Sequence, residues 1–117
     1  MSEFSILVVE DDAMLSLAME DILQKLGYTN LEFAFDLTGA LKIAENSRFS
    51  MAFLDVNLNG ELSLPIARVL RQHDIPFYFT TGFGSHFDYE DMQGTPIVRK
   101  PYSEQDIRHA IESVESN

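Results

Sequence analysis

The sequence predicts an α/β fold, a parallel sheet of five strands with helices on both faces. Three observations carry this. Short, continuous, apolar runs recur along the chain, of the kind that forms strands buried on both faces. Between them lie segments whose apolar residues repeat at helical spacing. Two of the runs, Ile6-Leu7-Val8-Val9 and Met51-Ala52-Phe53-Leu54, stop abruptly at acids. Strands alternating with helices in this way call for right-handed crossovers and a parallel sheet.

The first run is strand one, ending at Glu10-Asp11-Asp12. Leu15, Met19, Ile22 and Leu26 then share one helical face, with Asp12 placed to cap the start and Gly27 suited to follow the end. Leu31 to Phe35 alternates as a second strand, and Asp36 caps a helix carrying Leu37, Ala40, Leu41 and Ala44, weakened by Gly39. Met51 to Leu54 is the third strand, followed by Asp55 and a loop at Asn57-Leu58-Asn59-Gly60. Pro65 suits a helix's first turn, with Ile66, Val69 and Leu70 on its apolar face before His73-Asp74. Phe77 to Thr80 is the fourth strand. From Phe83 to Gln93 no convincing period appears, so the fourth helix is expected to be short or irregular. Ile97-Val98 is the last strand, and Ser103 with Asp106 opens a final helix bearing Ile107, Ala110, Ile111 and Val114.

Composition bounds the function. The 117 residues are 45% hydrophobic and carry a formal charge of −11, which suits one self-folding domain over 1–117. Eight scattered Lys and Arg offer no basic patch for a phosphate backbone, so no nucleic-acid binding is expected. The chain has no Cys, hence no disulfide and no thiolate nucleophile, which fits a cytoplasmic protein. The N-terminus lacks the basic start of a signal peptide, and no apolar stretch approaches the roughly 18 residues of a membrane span, so no membrane insertion is expected.

In an open parallel sheet the functional crevice lies beyond the carboxyl ends of the strands. Strand one ends in Glu10, Asp11 and Asp12, the third in Asp55, the fourth in Thr80-Thr81 and the fifth in Lys100. Gathered carboxylates repel one another unless cations join them, and Mg2+ is the natural hard partner for oxygen ligands. Such an ion holds a phosphoryl oxygen as well as protein, which makes Asp55 a candidate nucleophile forming an acyl phosphate. Thr81 and Lys100 would then supply a donor and a point charge to the phosphoryl oxygens. Taken singly, each has a plainer reading: a helix cap for Asp12, a turn residue, a strand-end hydroxyl, a solvated cation. Their joint placement at four strand ends favours the site.

Ile6 to Asp12, Phe53-Leu54-Asp55-Val56-Asn57, Phe79-Thr80-Thr81-Gly82 and Val98-Arg99-Lys100-Pro101 together resemble the receiver domain of two-component response regulators, over nearly the whole chain. The resemblance implies a doubly wound, flavodoxin-like sheet in strand order 2-1-3-4-5. It implies a stand-alone receiver taking a phosphoryl group on Asp55 from a phosphohistidine of a sensor histidine kinase or phosphotransfer protein. Asp11 matches the direct Mg2+ ligand, Glu10 the acid acting through water, and Asn57 the residue lending a backbone carbonyl. Thr81 matches the switch hydroxyl better than Thr80, and Lys100 the family lysine, whose bond to the following proline is cis in many receivers. Output would run through contact with a downstream protein or through a role as phosphorelay or sink. Such a domain assists its own phosphorylation and dephosphorylation without being an enzyme on a separate substrate.

Three positions depart from the family pattern. Ile97 stands where a switch Tyr or Phe is common, leaving Phe83 and Phe87 as candidates to replace it. The usual Met-Pro after the acceptor is replaced by Leu58-Asn59-Gly60, and the segment from Thr81 to Gly94 is short for a normal helix. Residues 82–95 are therefore expected to order when Thr81 engages a phosphoryl group. Rival readings are weaker. Asp55 to Gly60 fits the opening of an EF-hand loop, but Ile66 stands where its bidentate Glu is required. A haloacid-dehalogenase-like phosphatase needs a second Asp where this chain has Asn57. A receiver-like interaction module working without phosphorylation is the alternative function, against which stand the intact acidic, Thr and Lys positions. His73, His86 and His109 have no metal-ligand spacing and are expected in exposed or capping roles.

Overall fold

The computed structural model describes residues 3–82 and 94–116. In chain order the elements are β1 (Ser5–Val9), α1 (Ala13–Lys25), β2 (Asn30–Ala34), α2 (Leu37–Asn46), β3 (Met51–Asp55), β4 (Asn57–Leu58), β5 (Glu61–Leu62), α3 (Leu64–Gln72), β6 (Phe77–Thr81), β7 (Ile97–Arg99) and α4 (Glu104–Glu115). The main sheet runs β2-β1-β3-β6-β7 with every neighbouring pair parallel. These are the five strands expected from the sequence, in the order 2-1-3-4-5. The irregular fourth helix, the aromatics Phe83 and Phe87, and His86 lie outside the described residues.

Local chemistry sets the element boundaries. Asp12 Oδ1 accepts from the amides of Met14 and Leu15 at 2.8 and 3.1 Å, and Gly27, at φ 96°, ends the helix it opens. Asp36 Oδ1 accepts from Gly39 N at 2.7 Å, and a Cβ on Gly39 would meet that same oxygen at 2.9 Å. The glycine that weakens α2 by propensity thus makes room for its cap. Ser103 accepts from Asp106 N at 3.0 Å to open α4.

Two readings shift. β2 covers Asn30–Ala34 and Phe35 lies outside it, exposed. The stretch after Asp55, expected as a loop, forms the β4–β5 hairpin, because Asn59 and Gly60 both adopt positive φ, 53° and 87°. An Asn-Gly pair in that conformation is the tight turn whose twist matches flanking strands.

Side-chain alternation divides the core between the two sheet faces. Leu7, Val9, Ala52, Leu54, Phe77 and Phe79 pack with α2 and α3 through Ala40, Ala44, Ile66, Ala67 and Leu70. Ile6, Val8, Met51, Phe53 and Val98 pack on the other face against α1 and α4. The buried residues of α1 are Ser16, Met19 and Leu23; of the expected stripe Met19 is among them, Ile22 and Leu26 pack half-buried against the same core, and Leu15 looks toward the strand ends. Among the described residues no helix is long and apolar enough to cross a membrane.

Phe53 is fully buried between β1, β6 and the α1/α4 layer, whereas Met14 is 76% exposed. Phe53→Ala is expected to cost about 3–5 kcal/mol, and Met14→Ala within about 0.5 kcal/mol of zero. Urea denaturation of both variants checks the contrast.

Candidate functional site

The rule that distributes the core also aims the polar residues. Ile6, Val8 and Glu10 share one parity, as do Met51, Phe53 and Asp55, and Val98 and Lys100; each series leaves the α1/α4 layer and ends in a charged residue past or at the strand terminus. Three distant chain segments therefore deliver two carboxylates and an ammonium to one place. Thr81 follows the parity of Phe77 and Phe79 and reaches the site from the other face. A cleft of about 620 Å³ at this end of the sheet is lined by Glu10, Asp11, Asp55, Asn57, Thr81 and Lys100, with Asp12, Leu15, Val56, Leu62 and Gly82 completing the wall. Every site residue expected from the sequence is thus brought to one cleft, and Thr80 is not among its lining.

Glu10, Asp11 and Asp55 each offer a carboxylate oxygen within 4.8 Å of the others. Lys100 Nζ lies 2.8 Å from Asp55 Oδ2, 3.0 Å from Glu10 Oε1 and 3.2 Å from Glu10 Oε2. Glu10 is fully buried, and its further donors are Tyr102 Oη, 2.6 Å from Oε1, and the Asp12 amide, 3.1 Å from Oε2. Asp55 Oδ1 accepts from Asn57 N at 3.2 Å, and Asp11 Oδ2 from Asn59 N at 2.9 Å.

The hairpin explains those last two bonds. Leu58 pairs with Glu61 across the turn, and Ser63 N donates to Val56 O at 3.0 Å, so Asn57, between them, is a non-hydrogen-bonded position of the ladder. Its backbone groups point away from β5, the amide toward Asp55. The carbonyl is likewise left out of the hairpin ladder. The Asn57 side chain accepts from Gly60 N at 2.8 Å and pins the turn whose Asn59 amide holds Asp11.

Electrostatics follow from burial and crowding. Burial pushes the Asp55 carboxyl up from 3.8 to about 7, with Glu10's charge adding to the rise and Lys100 and the Asn57 amide opposing it. Burial acts to lower the Lys100 ammonium, but hydrogen bonds and attraction to Asp55 and Glu10 outweigh it and the net shift is upward. For Asp11 burial is also outweighed: hydrogen bonds, first from Asn59 N, hold it below its ordinary value. Burial and then Glu10 push the Tyr102 phenol strongly up, so it stays a donor. Thr81 Oγ1 is buried and has no hydrogen-bond partner among the described residues. Three crowded carboxylates and a carbonyl outside the ladder form an all-oxygen set that suits a hard divalent cation such as Mg2+, with one shared ammonium and an uncommitted hydroxyl beside it.

A family model of the response regulator receiver domain matches residues 6–112. The chain belongs to the response regulator receiver family. This receiver is 33% identical to SdrG of Sphingomonas melonis Fr1, whose solution structure it matches with TM-score 0.85 over 98% of this chain and 99% of that one. It shares the fold of the receiver domain of the sensor histidine kinase PA1611 of Pseudomonas aeruginosa PAO1, at 18% identity and TM-score 0.78, covering 99% of this chain and 100% of that one; that structure has a magnesium ion in its active-site cleft. It is 24% identical, over 95% of its length, to the transcriptional regulatory protein YvrH of Bacillus subtilis, and spans 48% of that curated relative.

Two contributors to the receiver's site were missed in the sequence. Tyr102 carries no expectation from the sequence, and its only signal there is a phenol two positions after Lys100. Asn59 acts through its backbone, which side-chain chemistry does not reveal. His73 caps the end of α3 and His109 is exposed on α4, as expected, and the bond between Lys100 and Pro101 is cis.

Because Asp55 holds its proton more tightly folded than unfolded, its ionisation opposes folding. The opposition is full above pH 7 and fades as pH falls toward 4. In chelator at pH 8, Asp55→Asn is expected to be more stable than the wild type by on the order of 1 kcal/mol. The gain should shrink toward pH 4.5; a gain that grows on acidification contradicts the assignment. Denaturant melts at the two pH values decide it.

Proposed function

We propose that this protein is a phosphoacceptor signalling domain that takes a phosphoryl group on Asp55 from a phosphohistidine of a histidine kinase or phosphotransfer protein. The observation carrying this reading is Lys100 bridging Asp55 and the buried Glu10 inside a three-carboxylate cleft. An Asp55 carboxylate oxygen attacks phosphorus, the P–N bond of the phosphohistidine breaks, and its electron pair returns to the imidazole nitrogen. The product on this chain is an acyl phosphate. Lys100 meets the added charge, and the Thr81 hydroxyl donates to a phosphoryl oxygen.

Asp11, Asp55 and the Asn57 carbonyl would hold Mg2+, with Glu10 acting through water. The ion supplies positive charge that offsets the charge on the transferring group. The magnesium in the PA1611 receiver's cleft supports the same ion here. We take 1–117 as one receiver domain of a cytoplasmic protein. It assists its own dephosphorylation and signals by protein contact or serves as phosphorelay or sink.

Intact-protein mass after incubation with Mg2+ and acetyl phosphate tests this. A single phosphoryl addition is expected in the wild type, and none in Asp55→Asn or in chelator. An unlabelled wild type, under conditions that label a known receiver, would favour an interaction module that works without phosphorylation. Addition surviving in Asp55→Asn would move the acceptor elsewhere.

A further inference from the structure

Glu10 depends on a cation that it shares. Lys100 lies 3.0 Å from Glu10 Oε1 and 2.8 Å from Asp55 Oδ2, and in the function proposed above the same ammonium turns to a phosphoryl oxygen on Asp55. Glu10, with no exposed surface, then keeps two other donors: the Asp12 amide on Oε2 and the Tyr102 hydroxyl on Oε1, the latter at 2.6 Å. A buried carboxylate that loses donors loses its orientation or its charge.

Tyr102 is built to stay. Its ring packs against the α1/α4 core, and it sits just before Ser103, whose hydroxyl caps α4. The core therefore fixes the direction of the phenol, while Lys100, on a long flexible stem, is free to change partners. Phenylalanine would fill the same space and donate nothing.

We infer that Tyr102 is a positioning residue that holds the Glu10 carboxylate in place for the metal site, so that Lys100 can leave Glu10 for the phosphoryl group. The inference rests on the assignment of the metal to Asp11, Asp55 and the Asn57 carbonyl, with Glu10 acting through water. Groups that orient a ligand from outside the coordination sphere commonly control metal affinity by 10- to 100-fold.

The test is Mg2+ titration calorimetry on the wild type, Tyr102→Phe, Glu10→Gln and the double variant, with the Glu10 side-chain carboxyl followed by 13C NMR. Tyr102→Phe is expected to bind Mg2+ about tenfold more weakly and to move the Glu10 carboxyl signal while the methyl signals of Ile107 and Met19 stay in place. In the Glu10→Gln background the same change should cost no further affinity. Unchanged Mg2+ affinity in Tyr102→Phe overturns this inference alone. An equal loss in both backgrounds overturns it too, by reducing Tyr102 to packing. A wild type that binds no Mg2+ overturns the metal assignment and this inference with it. Should the variant fail to fold, the wild type still decides: exchanging the Tyr102 hydroxyl proton for deuterium shifts the Glu10 carboxyl signal if the bond is present, and leaves it unmoved if not.

Discussion

The contact of one ammonium with two carboxylates governs this molecule. Glu10, Asp11 and Asp55 crowd into a cleft whose floor is a hydrophobic sheet, in a chain that is already strongly acidic. Lys100 makes the arrangement tolerable by standing between Glu10 and Asp55. The compensation is incomplete, since burial still lifts Asp55 to about 7. That residual frustration is useful. A carboxylate that is poorly neutralised in the resting chain gains from a further cation, so the cost of assembling the acids appears as affinity for what binds them.

The geometry that allows this contact is set far from it. β1 and β3 are apolar strands whose alternate residues fill two different cores, β7 gives Val98 to one of them, and the charged residues at their ends inherit the parity of the buried ones. The packing of Phe53 against α1 and α4 and the pointing of Asp55 into the cleft are therefore one constraint. Backbone bonds tie the ends together as well: Lys100 N donates to Thr81 O at 2.8 Å, and Val56 N to Thr80 O at 3.2 Å. These hold the Asp55, Thr81 and Lys100 segments in fixed mutual register.

Much of this was legible in the sequence because it depends on side-chain type and alternation. The apolar runs marked the strands, Asp12, Asp36 and Ser103 marked three helix starts, and the acids, Thr81 and Lys100 marked the cleft. What stayed hidden depends on backbone conformation and on distance along the chain. The Asn59-Gly60 turn lies between strands of only two residues each, too short for an alternation to register, so it read as a loop. That Ser16 and Leu23 are buried beside the expected stripe depends on how α1 packs on the sheet and beside α4, a relation no local pattern carries. Tyr102 was obscured because an aromatic before a helix is ordinarily core, and its ring is indeed core while its hydroxyl is not.

The alternation of the strands also dictates how this chain tolerates changes of length. Deleting one residue within β3 would turn Asp55 toward the α2/α3 face and bring its neighbour into the cleft, abolishing the acid cluster even though every functional residue type was still encoded. The turn at His73 to Pro76 and the stretch from Ser47 to Ser50 lie at the opposite end of the sheet, where β6 and β3 begin, and gaps there leave the parity of both strands untouched. The two ends of one sheet thus differ in what they permit: the far rim can change length without reversing a strand, provided that Ser50, Ile75 and Pro76 keep their bonds and core contacts, while the strands themselves admit substitution but not insertion.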